Sequence, residues 1–279
     1  MDEKLVKEAV SRALIEDLGG GEDVTTAATI PENRPAKAVM RARETGIFCG
    51  TALALESFRQ ADLSLKVTLH IKDGAALSPG MDILTVTGGA RGIMVGERTA
   101  LNFCTHLSGI ATLTNKYVQA VAGTKAAIMC TRKTLPGLRA LQKYAVACGG
   151  GKNHRFGLYD AVLIKDNHIA VTGGVGPAIE KALAYPAGRK IKIETEVDTL
   201  EQLAEALKYK IDVVLLDNMK PEMLKQAVAM AAGKCLTEAS GGVNLQTVRA
   251  IAESGVDMIS IGALTHSVPA LDIGLDIDV

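Results

Sequence analysis

Basic side chains are concentrated in one segment of the chain. Residues Cys130 to Ala170 include seven Lys or Arg and two Asp or Glu, an excess of five positive charges. Arg binds carboxylates and phosphates through two parallel hydrogen bonds, whereas Lys supplies a compact point charge. This segment therefore predicts a binding site for an anion that carries both kinds of group. Arg132, Lys133 and Lys165 lie at the ends of two short β-type runs within it.

Two carboxylates, Glu194 and Asp217, belong to later β-type runs. Carboxylates at neighbouring strand ends can bind Mg²⁺, accept hydrogen bonds from sugar hydroxyls or stabilise a positively charged transition state. The residue types alone leave these three roles open.

Glycine-rich stretches follow the last two β-type runs, as Ser240-Gly241-Gly242 and Gly262-Ala263. Backbone N–H groups at this point of a barrel commonly bind a phosphate. The residues therefore predict a site for a carboxylated or phosphorylated anion, a ribose-like set of hydroxyls with a metal, and a terminal phosphate.

The second part of the chain has the pattern that could bring these groups together. Six β-rich runs alternate with helical segments, which is typical of parallel strands joined by crossover helices. We predict a βα barrel with fewer strands than the common eight-stranded form, and with its reacting groups at the carboxyl ends of the strands. The predicted strands are Ala126–Thr131, Ala161–Lys165, Ile191–Val197, Val213–Asp217, Cys235–Ala239 and Met258–Ile261. The clearest helices are Leu200–Leu207, Pro221–Ala231 and Leu245–Ser254.

The first hundred residues predict a separate small α+β domain. Apolar residues recur at helical spacing from Asp2 to about Asp17, and three glycines follow. A long helix from Glu97 to about Ala122, with Gly109 as a possible site of bending, leads out of this domain. The other predicted elements are strands Ala36–Arg43, Leu65–Ile71 and Ile83–Val86 and a helix Ala52–Gln60.

Composition narrows the classes of partner. Lys plus Arg and Asp plus Glu both number 31, so no overall charge attracts the protein to nucleic acid or to an anionic membrane. The five cysteines are widely spaced and include no C-x-x-C pair, as expected for reduced thiols that serve packing. The N-terminus is charged, and no stretch approaches the roughly 18 to 20 apolar residues of a membrane span. We expect a soluble cytoplasmic protein.

The basic segment resembles a known family. The run CTRKTLPGLRALQKYAVACGGGKNHRFGLYDAVLIKDNH, from Cys130 to His168, is very similar to the signature region of quinolinate phosphoribosyltransferases. The similarity continues over essentially the whole chain. It includes EDLGGGEDVTTAATIP near the N-terminus, GERTALNFCTHLSGIAT at residues 96–112, IETEVDTLEQL from Ile193, LLDNM from Leu215, TEASGGV from Thr237 and IGALTHS from Ile261.

The resemblance implies an architecture and an assembly. An N-terminal α/β sandwich domain at residues 1–106, completed by residues 267–279, would be joined to an incomplete parallel α/β barrel at residues 107–266. The family implies a homodimer in which the sandwich domain of one subunit covers the barrel of the other, so that the active sites are shared. Assembly of such dimers into a hexamer stays open.

The resemblance also implies an activity. The enzyme would transfer phosphoribosyl from phosphoribosyl pyrophosphate to quinolinate and release pyrophosphate and CO₂, giving nicotinate mononucleotide for NAD biosynthesis. Mg²⁺ would neutralise the leaving group, bound largely through the pyrophosphate, with Glu194 and Asp217 as candidate protein ligands. An oxocarbenium-like ribose would form and be attacked by the pyridine nitrogen.

Residue roles follow from the matched motifs. The resemblance implies that the quinolinate carboxylates are bound by Arg132, His154, Arg155 and Lys165, with Arg98 reaching in from the neighbouring subunit. It places around the phosphoribosyl pyrophosphate Lys133, Glu194, Asp217, Ser240, Gly241, Gly262 and Ala263. The residues expected to act in catalysis are Lys133, Lys165, Glu194 and Asp217. His70, His106 and His266 are expected to be structural or surface groups, and Glu196 a supporting carboxylate.

Two positions depart from the family pattern, and three alternatives compete with it. Cys130 stands where the family has Asp, which puts the orientation of the neighbouring basic pair in question, and Thr195 replaces a more usual Val. The protein could be a phosphoribosyltransferase for another aromatic acid or for molybdenum-related metabolism. Lys165 could be the Schiff-base lysine of an aldolase. The chain could also be a non-catalytic binding paralogue in which Cys130 records lost activity.

Overall fold

A computed structural model describes residues 1–185 and 191–278. The described chain forms two compact units. The first contains Met1–Leu113, Ala140–Gly150 and the residues from Ser267 onward, and the second contains Thr114–Arg139 and Gly151–His266. Residues 140–150, which the sequence places in the barrel, thus group with the first unit. The last residue of the expected 267–279 segment, Val279, lies outside the described residues.

The first unit is built on a four-stranded antiparallel sheet. Its strands are β1 (Pro35–Ala42), β3 (Lys66–Leu69), β5 (Asp82–Gly89) and β12 (Ile273–Asp278), in the order β12-β1-β5-β3. A two-stranded ladder joins β2 (Gly46–Ile47) to β4 (Ala76–Leu77). The helices are α1 (Glu3–Leu18), α2 (Val24–Thr29), α3 (Thr51–Ala61) and α5 (Arg139–Cys148), of which the last begins in the second unit.

The core of the first unit forms where the sheet and helices bury their apolar faces. Met40 of β1, Leu84 of β5 and Phe58 of α3 are fully buried within it. The return of β12 to the edge of β1 agrees with the pairing of the C-terminal residues that the resemblance implies, and it places Met40 opposite Leu275.

Helix α4 (Ala90–Ala120) has 31 residues and begins seven residues before the predicted start at Glu97. It continues through Gly109. A Cβ atom at Gly109 would lie 2.2 Å from the carbonyl oxygen of Pro269, so this glycine permits close approach of the returning C-terminal segment. This close packing accounts for the glycine.

The second unit is built on six parallel strands, which confirms the predicted number and order of β-rich runs. The strands are β6 (Ala127–Met129), β7 (Val162–Ile164), β8 (Ile193–Val197), β9 (Val213–Asp217), β10 (Leu236–Ser240) and β11 (Met258–Ser260). Their order is β6-β11-β10-β9-β8-β7, so β6 and β7 form the two edges, as in an incomplete barrel. The helices are α6 (Asp166–Thr172), α7 (Val175–Ala184), α8 (Leu200–Ala206), α9 (Pro221–Ala231), α10 (Val248–Glu253) and α11 (Ala263–His266).

The predicted bounds differ from the observed ones mostly by one or two residues. Strand β9 and helix α9 match their predictions, whereas α10 begins three residues after the predicted Leu245. Residues 244–247 precede it as turns in which the Asn244 side chain accepts from the backbone N–H groups of Gln246 and Thr247. No helix among the described residues has the length and apolar character needed to cross a membrane.

Candidate active site

A cavity of about 440 Å³ opens at the carboxyl ends of the six parallel strands. Each strand, or the loop directly after it, contributes at least one polar or glycine residue to the wall. In strand order from β6 to β11 these include Lys133, Lys165, Glu196, Asp217, Ser240 and Gly262. The structure therefore brings together, on one face of the second unit, side chains that lie far apart in the sequence.

Strand register explains which carboxylates share this face. Alternate residues of a strand point to the same side, so Glu194 and Glu196 share one face of β8, and Glu238 and Ser240 share one face of β10. Asp217 lies opposite Ser240 in the ladder between β9 and β10. The same alternation directs the Thr195 side chain to the opposite face of β8 from the two glutamates, where it is fully buried.

A buried His–Glu–Glu cluster adjoins these strands. His154 Nε2 lies 2.9 Å from Glu194 Oε2 and 3.6 Å from Glu238 Oε1. His154 Nδ1 accepts a hydrogen bond of 2.9 Å from the backbone N–H of Arg155, so this nitrogen carries no proton. The proton of the neutral ring therefore lies on Nε2, which donates to Glu194. Glu194 Oε1 and Glu238 Oε1 have no hydrogen-bond partner in the structure.

Burial changes the acidity of Glu238. Its side chain is 1% exposed, and desolvation, followed by repulsion from Glu194, raises the pKa of Glu238 from 4.5 to about 7. His154 and a hydrogen bond with Ser260 oppose this shift of the pKa. Sequence reasoning did not single out Glu238, although the alternation within Leu236–Ser240 places it on the same face as Ser240.

Two arginines lie near each other, and Arg155 also lies near Glu194, although neither arginine is among the residues that line the cavity. Arg155 Nη1 donates to the carbonyl oxygen of Ala161 at 3.1 Å, but the Nε atoms of Arg132 and Arg155 are both buried without a hydrogen-bond partner. Burial lowers the pKa of Arg155, and the nearby positive charge of Arg132 lowers it further. The two unused Nε donors are suited to bind an anion, although both atoms are closed to solvent in this structure.

Lys165 forms an ion pair with Glu196, with 3.0 Å between Nζ and Oε2. The Lys165 side chain is about half-exposed, and its partner is a carboxylate whose side chain is 9% exposed. A Schiff-base lysine instead needs an environment that favours the neutral amine, typically an apolar pocket or another cation nearby. This pairing disfavours the aldolase alternative.

The loop after β11 packs closely on Lys133. A Cβ atom at Gly262 would lie 3.0 Å from Lys133 Cδ and 3.1 Å from His266 Nε2. Thr265 Oγ1 donates a hydrogen bond of 2.7 Å to the Lys133 carbonyl oxygen, which holds the loops after β6 and β11 together. His266 lines the cavity. His266 thus lies in the wall of the cavity beside Gly262, and the expectation that it is a structural or surface group stays a prediction.

The loops after β9 and β10 depend on left-handed backbone conformations. Gly241 has φ +90°, and a Cβ atom there would lie 2.1 Å from Asn218 Oδ1 and 2.9 Å from Asn218 N. Asn218 itself has φ +54°. Its Nδ2 donates to Asp217 Oδ2 at 2.6 Å, and its backbone N–H donates to Ser240 O at 2.9 Å. Gly241 thus leaves room for the amide that orients Asp217.

Cys130 is fully buried where the resemblance leads one to expect Asp. Its thiol donates to Asn153 Oδ1 at 3.2 Å, and its backbone N–H donates to the carbonyl oxygen of Lys152 at 3.0 Å. Cys130 therefore connects the end of β6 to the residues just before His154. The Cys130 side chain thus makes a hydrogen bond at the position where the resemblance implies an Asp carboxylate.

Arg98 lies exposed on α4, in the first unit. Its role across a subunit interface stays a prediction. His106 contacts Gln142 and His70 contacts Thr85, and their structural interpretation stays a prediction.

The carboxylates differ in how they suit a metal ion. Among the residues that the structure describes, His154, Glu194 and Glu238 bring ligand atoms within 4.8 Å of one another, and this group does not include Asp217. Mg²⁺ prefers carboxylate and water oxygens. The unpartnered Oε1 of Glu194 fits such a role, whereas Asp217 offers a half-buried carboxylate in the cavity wall.

Comparison with known proteins identifies the family. Models of the quinolinate phosphoribosyl transferase N-terminal and C-terminal domains match residues 23–108 and 110–276, respectively. The chain is 47% identical over 277 residues to the carboxylating nicotinate-nucleotide pyrophosphorylase of Mycobacterium leprae, covering 97% of this chain and 96% of that protein. It is 46% identical to a decarboxylating quinolinate phosphoribosyltransferase of Nicotiana glauca, covering 98% and 82%.

A solved structure gives the same result. The nicotinate-nucleotide pyrophosphorylase from Francisella tularensis superposes with a TM-score of 0.93 at 39% identity, covering 100% of this chain and 98% of that one. The match of both domain models, the level of identity and the shared architecture agree. This chain belongs to the quinolinate phosphoribosyltransferase family.

Proposed function

We propose that this enzyme transfers the phosphoribosyl group of phosphoribosyl pyrophosphate to quinolinate, with decarboxylation, to give nicotinate mononucleotide, pyrophosphate and CO₂. The relatives are named for this reaction in one direction or the other. The observation that carries the proposal is the pair of buried Nε atoms on Arg132 and Arg155, which have no hydrogen-bond partner in the structure. A planar dicarboxylate supplies the acceptors that these donors lack.

The basic side of the site would bind quinolinate. Each ring carboxylate can accept a charge-assisted hydrogen bond from a guanidinium group, and such bonds contribute roughly 1.5 to 3 kcal/mol each. Lys165, tied to Glu196, would supply a further positive charge. His154 donates a hydrogen bond from Nε2 to Glu194 and would thereby orient the protein carboxylates that face the sugar.

The other side would bind phosphoribosyl pyrophosphate. The loops Ser240-Gly241-Gly242 and Gly262-Ala263 would bind the 5′-phosphate through their backbone N–H groups. These groups are accessible because the glycines have no side chains. Asp217, oriented by Asn218, would accept hydrogen bonds from a ribose hydroxyl. Lys133 would contact a phosphate of the leaving group.

The proposed chemistry is a substitution at the anomeric carbon followed by decarboxylation. The bond from this carbon to the pyrophosphate oxygen lengthens first, and Glu194 and Asp217 stabilise the positive charge that develops on the ribose. The quinolinate nitrogen, held in line by the two arginines, then donates its electron pair to the anomeric carbon. A bound Mg²⁺, for which Glu194 and Asp217 are the candidate ligands, would neutralise the pyrophosphate.

Decarboxylation follows from the product of the first step. The ring nitrogen becomes positively charged, and the carboxylate next to it leaves as CO₂ while its electron pair stays on the ring carbon. A proton from solvent then completes nicotinate mononucleotide. The residues described above bind and orient the reactants, and the mechanism requires no general base among them.

We also propose that the enzyme is a homodimer with shared active sites, in which Arg98 acts in the neighbouring subunit, and that dimers can assemble into hexamers. The exposed position of Arg98 on α4 supports a contact with another chain. A cytoplasmic location is supported by the reduced state of the five cysteines.

The function is tested by incubating the enzyme with phosphoribosyl pyrophosphate, Mg²⁺ and either quinolinate or nicotinate. Nicotinate mononucleotide should form from quinolinate, with at least tenfold lower kcat/KM for nicotinate, because nicotinate lacks one of the carboxylates that the arginines bind. Equal use of the two acids would favour a phosphoribosyltransferase for another aromatic acid. No product from folded protein would favour the non-catalytic alternative.

A further inference from the structure

A second cluster of potential metal ligands lies in the first unit and shares no residue with the active site. Cys49, Asp73 and Cys148 each present a ligand atom, and these atoms lie within 4.8 Å of one another. They come from three segments: Cys49 shortly precedes α3, Asp73 lies between β3 and β4, and Cys148 is the last residue of α5. The fold, and not local sequence, brings them together.

Asp73 is fixed by four hydrogen bonds. Its Oδ1 accepts from the backbone N–H groups of Gly50 and Thr51, at 3.0 and 2.9 Å, and from the Thr51 hydroxyl at 2.7 Å. Its Oδ2 accepts from the Tyr144 hydroxyl at 2.8 Å. Each carboxylate oxygen offers about two lone-pair positions, so Oδ2 retains one for a further partner. The carboxylate is held in place before any ligand binds.

The two thiols interact with each other. Their ligand atoms lie within 4.8 Å of each other and of the Asp73 carboxylate. Thiolates, and not thiols, bind metal ions, so binding of a divalent cation by the three groups would release the thiol protons.

The spacing fits a single ion. Three points no more than 4.8 Å apart lie within about 2.8 Å of a common centre, the largest separation divided by the square root of three. Zinc binds thiolates at about 2.3 Å and carboxylates at about 2.0 to 2.2 Å, so shifts of roughly half an ångström complete the coordination. Asp73 and Cys148 are half-exposed, which gives an ion access from solvent.

We propose that Cys49, Asp73 and Cys148 form a binding site for one borderline or soft divalent cation such as Zn²⁺. Two thiolates and a carboxylate form a donor set that zinc prefers over Mg²⁺ or Ca²⁺. Water completes a tetrahedral arrangement. The ion joins the start of α3, the loop between β3 and β4 and the end of α5, and it stabilises the folded first unit because the ligands are far apart in the unfolded chain.

The test uses the complete, reduced and metal-free enzyme, with Co²⁺ as a spectroscopic probe and Zn²⁺ as a competitor. We expect one Co²⁺ per chain to produce a thiolate-to-cobalt charge-transfer band and the visible bands of a tetrahedral site, and Zn²⁺ to abolish both. Zn²⁺ should raise the Tm. Cys148→Ser should remove the charge-transfer band or reduce affinity at least tenfold, and Asp73→Asn should weaken binding while keeping the oxygen that caps α3.

The controls separate this site from others. Cys235→Ser changes a half-buried thiol of the second unit and should leave binding unchanged, and His154→Ala should keep the charge-transfer band. Cys49→Ser tests the buried ligand independently of Cys148. The proposal is overturned if Co²⁺ binds without thiolate bands, if Cys148→Ser and Cys49→Ser both bind like the wild type, or if no binding occurs at a large excess of Zn²⁺.

Discussion

Replacement of Glu238 by Gln should make the enzyme more resistant to high pH and less active. The folded protein raises the pKa of Glu238 from 4.5 to about 7. Above pH 4.5 the unfolded chain releases this proton while the native state retains it, so the free energy of unfolding falls as the pH rises towards 7. The whole shift corresponds to about 3 kcal/mol, most of which is lost between pH 5 and pH 8.

The glutamine side chain of the Glu238→Gln variant has no proton to lose and so should remove this part of the pH dependence. Urea unfolding at pH 5 and pH 8 measures the change in free energy of unfolding for each protein, and the wild type should lose about 2 to 3 kcal/mol more than Glu238→Gln. Because each protein is compared with itself at the two pH values, any pH-independent effect of the amide on the free energy of unfolding cancels. Equal pH dependence of the two proteins would refute the argument that burial and Glu194 hold the proton on Glu238.

The same variant should lose activity although its stability falls less as the pH rises. Glu238 lies 3.6 Å from His154 Nε2, which also donates to Glu194. Above pH 7, where Glu238 is ionised, the substitution therefore removes a negative charge beside the proposed ribose site. Loss of one charge-assisted interaction of roughly 1.5 to 3 kcal/mol predicts a ten- to hundredfold lower kcat/KM. Unchanged kcat/KM would show that Glu238 is a structural residue only.

Three further substitutions test separate parts of the site. Arg155→Ala should raise the KM for quinolinate at least tenfold and that for phosphoribosyl pyrophosphate much less; equal effects on both would contradict the assignment of this residue to the dicarboxylate. Gly241→Ala should lower both the Tm and kcat/KM, because the added Cβ would lie 2.1 Å from Asn218 Oδ1 and the backbone there has φ +90°. A fully active variant with an unchanged Tm would contradict the close packing. Arg98→Ala should be inactive alone but partly active in mixed dimers with Asp217→Asn, as measured by product formation after subunit exchange; no recovery would exclude a shared site.

Strong local patterns allowed part of the fold to be predicted from the sequence. Strand β9 is a short apolar run bounded by polar residues, and α9 begins with Pro221, which suits the first turn of a helix. The start of α4 was predicted seven residues late because Gly92 and Gly96 weaken its helical pattern. A Cβ atom at these positions would lie 2.6 Å from Asp62 and 2.8 Å from Phe58, so the glycines serve packing and do not break the helix.

Several predicted site residues lie at or shortly after the end of a strand, within a recognisable motif. Lys133, Lys165, Asp217 and Ser240 all line the cavity, and their roles stay predictions. Glu238 was not predicted, because its importance depends on burial beside His154 and Glu194, and only the fold brings these residues together. The cluster of Cys49, Asp73 and Cys148 was likewise hidden, since its residues are widely spaced and match no metal-binding motif.

The most direct test of the central claim follows the carboxylate next to the quinolinate nitrogen. With this group isotopically labelled, the enzyme should release labelled CO₂ only when phosphoribosyl pyrophosphate and Mg²⁺ are present, in amounts equal to the pyrophosphate and nicotinate mononucleotide formed. Arg132→Ala should reduce all three products together. Release of CO₂ without phosphoribosyl pyrophosphate, or formation of pyrophosphate without CO₂, would contradict a decarboxylating phosphoribosyl transfer.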